Sequence, residues 1–166
     1  MRGLVSTLAT ALLGLGAAAT PAQAAPLGFE LNGSYRVTSN GDWAKTNEVF
    51  MDEATVVSVW TISSSCENAH VCTGQVSSDQ GWTAPLEWRS TRWIVDRYHE
   101  TWERCADGTT SPGRQRYQFQ GSDVNGQYTK SNTDLLMGYD RTIGLSGACG
   151  RNQPLVIQLP LTLVRL

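Results

Sequence analysis

Residues 155–166, with the sequence LVIQLPLTLVRL, carry the strongest strand pattern in the chain. Every second residue from Leu155 to Leu163 is leucine or isoleucine, and mostly smaller or polar residues lie between them. A period of two places these sets on opposite faces of a strand, one of them buried. Pro160 lacks a backbone donor, so we expect it at a bulge or where the ladder needs no N–H. The segment predicts a β-strand near the end of the chain.

Seven earlier segments have the same period of two or lie between turn residues. After residue 24, no segment shows the apolar period of about 3.6 residues that indicates an amphipathic helix. Asn40-Gly41, for example, suits the positive backbone angles of a tight turn after the first of them. Residues 132–153 are expected to form a long loop. The seven strands are predicted at residues 34–39, 54–66, 72–78, 82–88, 93–102, 114–120 and 127–131.

Eight sequential antiparallel strands, joined by short turns except before the last, predict one up-and-down β-barrel. The last strand would close onto the first and remove both edges. A two-sheet β-sandwich is the alternative, because both architectures need one inward face per strand. We find no repeat or linker, so residues 25–166 are expected to form a single all-β domain.

The first 24 residues have the three zones of a secretory signal. Arg2 precedes an apolar stretch at residues 4–19, and Ala22-Gln23-Ala24 offers small side chains to a signal peptidase. We therefore predict a cleavable signal peptide at residues 1–24. The product would be secreted, extracellular or in the cell envelope, with no transmembrane anchor after cleavage.

The charge of the remaining chain argues against one class of partner. Residues 25–166 carry 12 basic and 15 acidic side chains, a net charge of −3. General nucleic-acid binding needs a basic surface that can neutralise phosphates. We therefore expect no nucleic-acid partner.

Four cysteines in an exported chain predict two disulfides. Three pairings are formally possible. Cys66 and Cys72 flank what looks like a hairpin tip, whereas Cys105 and Cys149 both lie in polar, glycine-containing loops. We predict Cys66 with Cys72 and Cys105 with Cys149.

Several tryptophan and cysteine motifs, in this order, resemble those of small secreted proteins of mycobacteria and related actinobacteria. The resemblance covers nearly all of residues 25–166. It implies export but no reaction, cofactor or catalytic residue. A fold-level likeness, through Gly33-Ser34-Tyr35 at the start of a meander, is to lipocalin-like and avidin-like ligand carriers. The motifs are Trp43-Ala44-Lys45-Thr46-Asn47, Trp60-Thr61-Ile62, Cys66 to Cys72-Thr73-Gly74, Ser78-Asp79-Gln80-Gly81-Trp82 and Ser146-Gly147-Ala148-Cys149-Gly150.

Catalytic and metal motifs give little support for an enzyme. The two histidines, His70 and His99, lack metal-ligand spacing, and the cysteines are assigned to disulfides. The sequence has no Gly-x-Ser-x-Gly elbow and no glycine-rich phosphate loop. We expect no metal and no cofactor.

Six tryptophans set this chain apart from an average domain. Trp60 and Trp93 are expected to fill the core. Trp43, Trp82 and Trp88 lie in or beside predicted turns, where ligand contacts are more frequent. Together with the nearby Arg89 and Arg92, these three form the predicted ligand-binding set.

Three functions follow from these patterns. The first is non-enzymatic binding of an apolar or amphipathic ligand, a lipid or glycan, in the barrel mouth. The second is a secreted protein–protein interaction module with a solid core and an exposed apolar patch. The third is a hydrolase of envelope glycans or lipids, which needs a cleft with ionisable groups of perturbed pKa.

Overall fold

The computed structural model of the protein describes residues 26–166. The predicted signal peptide, residues 1–24, lies outside this range. Within the described part, no helix is long and apolar enough to cross a membrane. Two short 3-10 turns occur at Gly41–Trp43 and Ala148–Gly150. The strands are β1 Gly33–Ser39, β2 Lys45–Thr46, β3 Val49–Phe50, β4 Val56–Asn68, β5 Val71–Ser78, β6 Trp82–Arg89, β7 Arg92–Arg104, β8 Thr110–Gly121, β9 Leu135–Gly144 and β10 Val156–Arg165.

Eight of these strands form a closed antiparallel barrel. β1 pairs with β4, each later strand pairs with the next, and β10 pairs back with β1. This last pairing runs from Tyr35 opposite Arg165 to Ser39 opposite Leu161. It confirms the predicted up-and-down barrel over the sandwich. The small hairpin β2–β3 lies outside the barrel and pairs with the beginning of β10.

The seventh predicted strand was wrong. Residues 127–131 contain no strand, and only an isolated bridge joins Ser122 to Tyr128. The barrel uses β9 instead, within the predicted loop 132–153. Its inward positions after Leu136 are Gly138, Asp140, Thr142 and Gly144, so the apolar alternation that marks a strand is missing. The other seven predicted strands are confirmed, with ends that differ by a few residues.

Inward residues of the other strands fill the apolar part of the barrel, as the period of two predicts. Trp60 and Trp93 are almost fully buried, as expected. Phe29 and Leu31, which precede β1, close one end, which we call the plugged end. The Phe29 ring lies 5.0 Å from the Trp88 ring, and the Lys130 ammonium lies 4.1 Å from the centre of the Phe29 ring.

Both predicted disulfides are present. Cys66–Cys72 joins β4 to β5 at the plugged end. Cys105–Cys149 joins the β7–β8 turn to the β9–β10 connection at the opposite end, which we call the disulfide end. Beside it, Arg151 forms an ion pair with the buried carboxylate of Glu103.

Removing the long disulfide should destabilise the barrel more than removing the short one. The two bridges span sequence separations of 44 and 6 residues. In the chain-entropy model they contribute about 4 and about 2.4 kcal/mol, respectively. Urea unfolding of the Cys105→Ser/Cys149→Ser and Cys66→Ser/Cys72→Ser proteins, under non-reducing conditions, measures the difference. A larger loss for the short bridge would contradict this prediction.

Candidate functional site

Aromatic side chains occupy the middle of the barrel. The ring of Trp60 lies 4.8 Å from that of Tyr117 and 5.2 Å from that of Trp82, in both cases edge to face. Trp82 also stacks on Tyr117, with 8° between the ring planes. These contacts fill the space that a ligand in the barrel mouth would need to reach.

A polar layer lies between these rings and the disulfide end. Both oxygens of the Asp140 carboxylate accept a hydrogen bond, one from the Gln115 amide and one from the Ser39 hydroxyl, each at 2.8 Å. The Gln115 carbonyl oxygen accepts from Arg97 at 3.3 Å and lies 2.7 Å from Nε2 of His99. The network joins β1, β7, β8 and β9 across the interior.

Burial perturbs the acid of this layer. Asp140 is only 5% exposed. Loss of water around the carboxylate raises its pKa, against the opposing effects of the two hydrogen bonds and of Arg97 and His99. Burial also raises the pKa of the Tyr117 hydroxyl. Because Gln115 and Ser39 donate hydrogen bonds to the two oxygens of Asp140, this acid links β9 to β8 and β1.

A groove lies on the outer wall of the barrel. It has a volume of about 600 Å³ and follows the outward faces of β7, β8 and β9. Strand register arranges these faces in rows. Asp96, Arg116 and Arg141 form one row, and Tyr98, Arg114 and Ile143 form the next. Tyr139, opposite Gln118, lies at the border of the groove towards β10.

Two arginines face each other directly in this groove. Arg116 and Arg141 are cross-strand partners, an arrangement of like charges that destabilises a sheet. The Asp96 carboxylate binds Arg116 through two hydrogen bonds of 2.7 and 2.8 Å. Arg141 has only Glu48 at 3.9 Å, and Arg114 forms no ion pair within residues 26–166. The groove therefore carries positive charge that its own acids do not neutralise.

An exposed aromatic hairpin borders this groove. Trp43 and Phe50 are 64% and 65% exposed, and their rings meet edge to face at 6.4 Å. They line a second depression of about 370 Å³ together with Lys45 and Tyr139. Because Tyr139 lines both depressions, the arginine groove and the hairpin form one continuous surface.

The predicted ligand-binding residues do not form one cluster. Trp43, the last residue of the first 3-10 turn, lines the depression beside the hairpin. Arg92 lines a small depression that also includes Tyr139. Trp82 lies inside the barrel, where the Arg97 guanidinium is 4.0 Å from the centre of its ring. The structure thus brings Trp43 and Arg92 to the two sides of Tyr139.

Two further members of the predicted set lie near the plugged end. Trp88 is 7% exposed and packs against Phe29 and Trp93. Arg89, the last residue of β6, forms an ion pair with Glu87. Ligand contact by each of the five residues stays a prediction.

Sequence reasoning missed most of the arginine groove. The period of two in residues 114–120 places Arg114 and Arg116 on the same face of the predicted strand. Tyr139 and Arg141 give no such signal, because the pattern of residues 132–153 predicts a loop. Their position depends on the pairing of β9 with β8.

The metal-ligating side chains do not cluster. Within residues 26–166, no group of three or more histidine, cysteine or acidic residues could hold a metal ion. This holds for the polar layer and for the outer groove.

The fold defines the chain as a closed eight-stranded β-barrel domain with two disulfides. Neither a protein-family model nor a curated protein matches it. Among solved structures, it is similar to the monomer form of the M. tuberculosis PknI sensor domain, with a TM-score of 0.56 and 15% identity. The match covers 86% of this chain and 90% of that one. This likeness shows a shared fold.

Replacing Asp140 by asparagine should reduce the dependence of stability on pH. Because burial raises the folded-state pKa, the contribution of Asp140 is fully present below its unfolded pKa. It is lost as the pH rises through the folded pKa. The free energy of unfolding of the natural protein, relative to Asp140→Asn, should therefore fall as the pH rises from about 3 to about 7. Urea unfolding at several pH values measures this, and a constant difference would contradict it.

Replacing Arg141 by glutamine should stabilise the protein slightly. The change removes the repulsion between directly opposed arginines, which is worth about 0.2 to 1 kcal/mol on a sheet. The gain should appear at low salt and shrink at high salt, because both side chains are partly exposed. Thermal unfolding at two salt concentrations provides the measurement. Destabilisation at low salt would show that the opposed arginines do not lower the stability of the sheet.

Proposed function

We propose that this protein is a non-enzymatic extracellular binding module whose ligand site is the outer arginine groove. Its ligand is amphipathic and carries an anionic group. The observation that carries the proposal is the direct opposition of Arg116 and Arg141, with Arg114 in the next row. Repulsion between the opposed cations lowers the stability of the barrel, and an anion bound between them removes this repulsion.

The lining of the groove matches this ligand chemistry. Guanidinium groups offer planar pairs of donors to carboxylate or phosphate. Within the described residues, Arg114 forms no ion pair and Arg141 has only the 3.9 Å contact with Glu48. Tyr98, Tyr139 and Ile143 supply apolar surface beside these donors. Flat tyrosine rings accept either a sugar face or an alkyl chain. An anionic lipid and an acidic glycan share this chemistry.

The packed interior favours the outer wall over the barrel mouth. Phe29 and Leu31 close one end, and the rings of Trp60, Trp82 and Tyr117 fill the middle. A ligand in the mouth would have to displace this packing and the Asp140 network. The outer groove offers about 600 Å³ without any rearrangement.

Two features support a place outside the cytoplasm. The sequence predicts a signal peptide at residues 1–24, and two disulfides require an oxidising compartment. A binding role accords with the similar structure, which is a sensor domain.

Binding of dodecyl phosphate, kept below its micelle-forming concentration, tests the proposal. In nuclear magnetic resonance titrations of the protein, the side-chain Nε–H signals of Arg114, Arg116 and Arg141 should shift. Arg114→Glu/Arg141→Glu should weaken the affinity at least about tenfold, because it replaces two attractive charges by repulsive ones.

Two controls make this test specific. Arg36→Glu changes an exposed arginine on the outer face of β1 and should leave the affinity unchanged. Octyl glucoside, a neutral amphiphile, should bind more weakly than dodecyl phosphate. The proposal fails if dodecyl phosphate does not bind. It also fails if only the indole N–H signals of Trp60 and Trp82 respond, because the ligand would then occupy the barrel mouth.

A further inference from the structure

The hairpin segment, residues 42–53, carries negative charge and exposed apolar side chains together. Asp42, Glu48 and Asp52 are exposed on it. Among them lie the apolar side chains of Trp43, Val49, Phe50 and Met51, each more than half exposed. Such a patch marks an interaction surface.

The backbone holds this hairpin firmly on the barrel. Asn47 and Glu48 both have positive φ, 47° and 68°, as a tight two-residue hairpin turn requires. Asn47 exchanges hydrogen bonds with Val156 of β10, through its backbone N–H and its side-chain oxygen, each at 2.8 Å. At the base, Glu53 donates its N–H to the Gly41 carbonyl at 3.0 Å. The apolar side chains are thus presented by a fixed frame.

This hairpin and the arginine groove are complementary to each other. The hairpin offers acids and aromatic rings, and the groove offers arginines and tyrosines. Within one molecule they meet only at their border, where Glu48 lies 3.9 Å from Arg141. Within residues 26–166, Asp42 and Asp52 on the hairpin and Arg114 in the groove therefore form no ion pair in a single copy.

We propose that a second copy of this chain occupies the groove. The proposal rests on the proposed function, since it names the acidic, aromatic hairpin of the partner as an occupant of that site. A recessed basic patch beside a protruding acidic one is self-complementary about a two-fold axis through their border. Each hairpin then enters the groove of the other copy, and the same contact forms twice.

Charge favours the second copy over an unrelated acidic partner. The twofold arrangement pairs both charged patches at once and covers the exposed rings of Trp43 and Phe50. A separate acidic ligand would neutralise the groove and leave the hairpin uncovered. Aromatic and arginine side chains are also the types enriched in protein interfaces.

A charge-swap experiment tests the dimer. One variant, Arg114→Glu/Arg141→Glu, makes both patches acidic. The other, Asp42→Lys/Asp52→Lys, makes both basic. All four side chains are exposed or partly exposed, and circular dichroism will verify that each variant folds. The proteins are recovered from the medium of cells expressing the whole chain.

The natural protein should dimerise with increasing concentration in sedimentation velocity, measured over a range of about a hundredfold. Each variant alone should stay monomeric, because like charges then face each other. An equimolar mixture of the two variants should form a heterodimer, visible in native mass spectrometry through their different masses. High salt should dissociate both dimers.

The outcomes separate this inference from the proposed function. A natural protein that stays monomeric overturns the dimer, as does a mixture that forms no heterodimer. If the natural protein still binds dodecyl phosphate and Arg114→Glu/Arg141→Glu does not, the groove remains an anion site and only self-association fails. If the natural protein dimerises and Arg36→Glu abolishes the dimer, the interface lies elsewhere and the inference is overturned.

Discussion

The ladder between β1 and β10 closes the barrel, and the other features depend on that closure. Five residue pairs, from Tyr35 opposite Arg165 to Ser39 opposite Leu161, join the two strands and leave the sheet without an open edge. Closure forces every inward side chain into one shared interior. It also brings the polar side chain of Ser39 on β1 within 2.8 Å of Asp140 on β9. A flat sheet with the same strands would hold these two residues far apart.

The closed wall divides the chemistry of the protein between two faces. Inside, aromatic rings and a satisfied polar layer provide rigidity, and the raised pKa of Asp140 reflects its burial. Outside, the same strands carry side chains that do not contribute to the packed interior. β8 shows this most clearly, because Gln115 and Tyr117 point into the network and the aromatic core, while Arg114 and Arg116 point into the groove. The period of two thus separates the residues that stabilise the barrel from those that can bind a partner.

The outer surface of the sheet carries two like charges side by side, an arrangement that lowers its stability. Arg116 and Arg141 lie opposite each other, and among the described residues Arg116 has a close acidic partner, Asp96, whereas Arg141 has only Glu48 at 3.9 Å. The hairpin β2–β3 adds aromatic surface next to them, held in place by the hydrogen bonds of Asn47 to β10. Neither feature contributes to the core. Both belong to the surface that we propose as the binding site.

The sequence alone predicted the all-β class, seven of the eight barrel strands and both disulfides, and it favoured a barrel while leaving a sandwich open; the pairing of β1 with β10 decided for the closed barrel. The predicted features depend on local signals, namely period-two alternation, turn residues and the positions of four cysteines. β9 was not predicted because its inward residues Gly138, Asp140 and Thr142 are small or polar. Tertiary hydrogen bonds from Gln115 and Ser39 are what make the Asp140 carboxylate suitable for the interior. The groove could not be predicted from the sequence either. Arg116 and Arg141 are 25 residues apart in sequence, and only the register between β8 and β9 places them side by side.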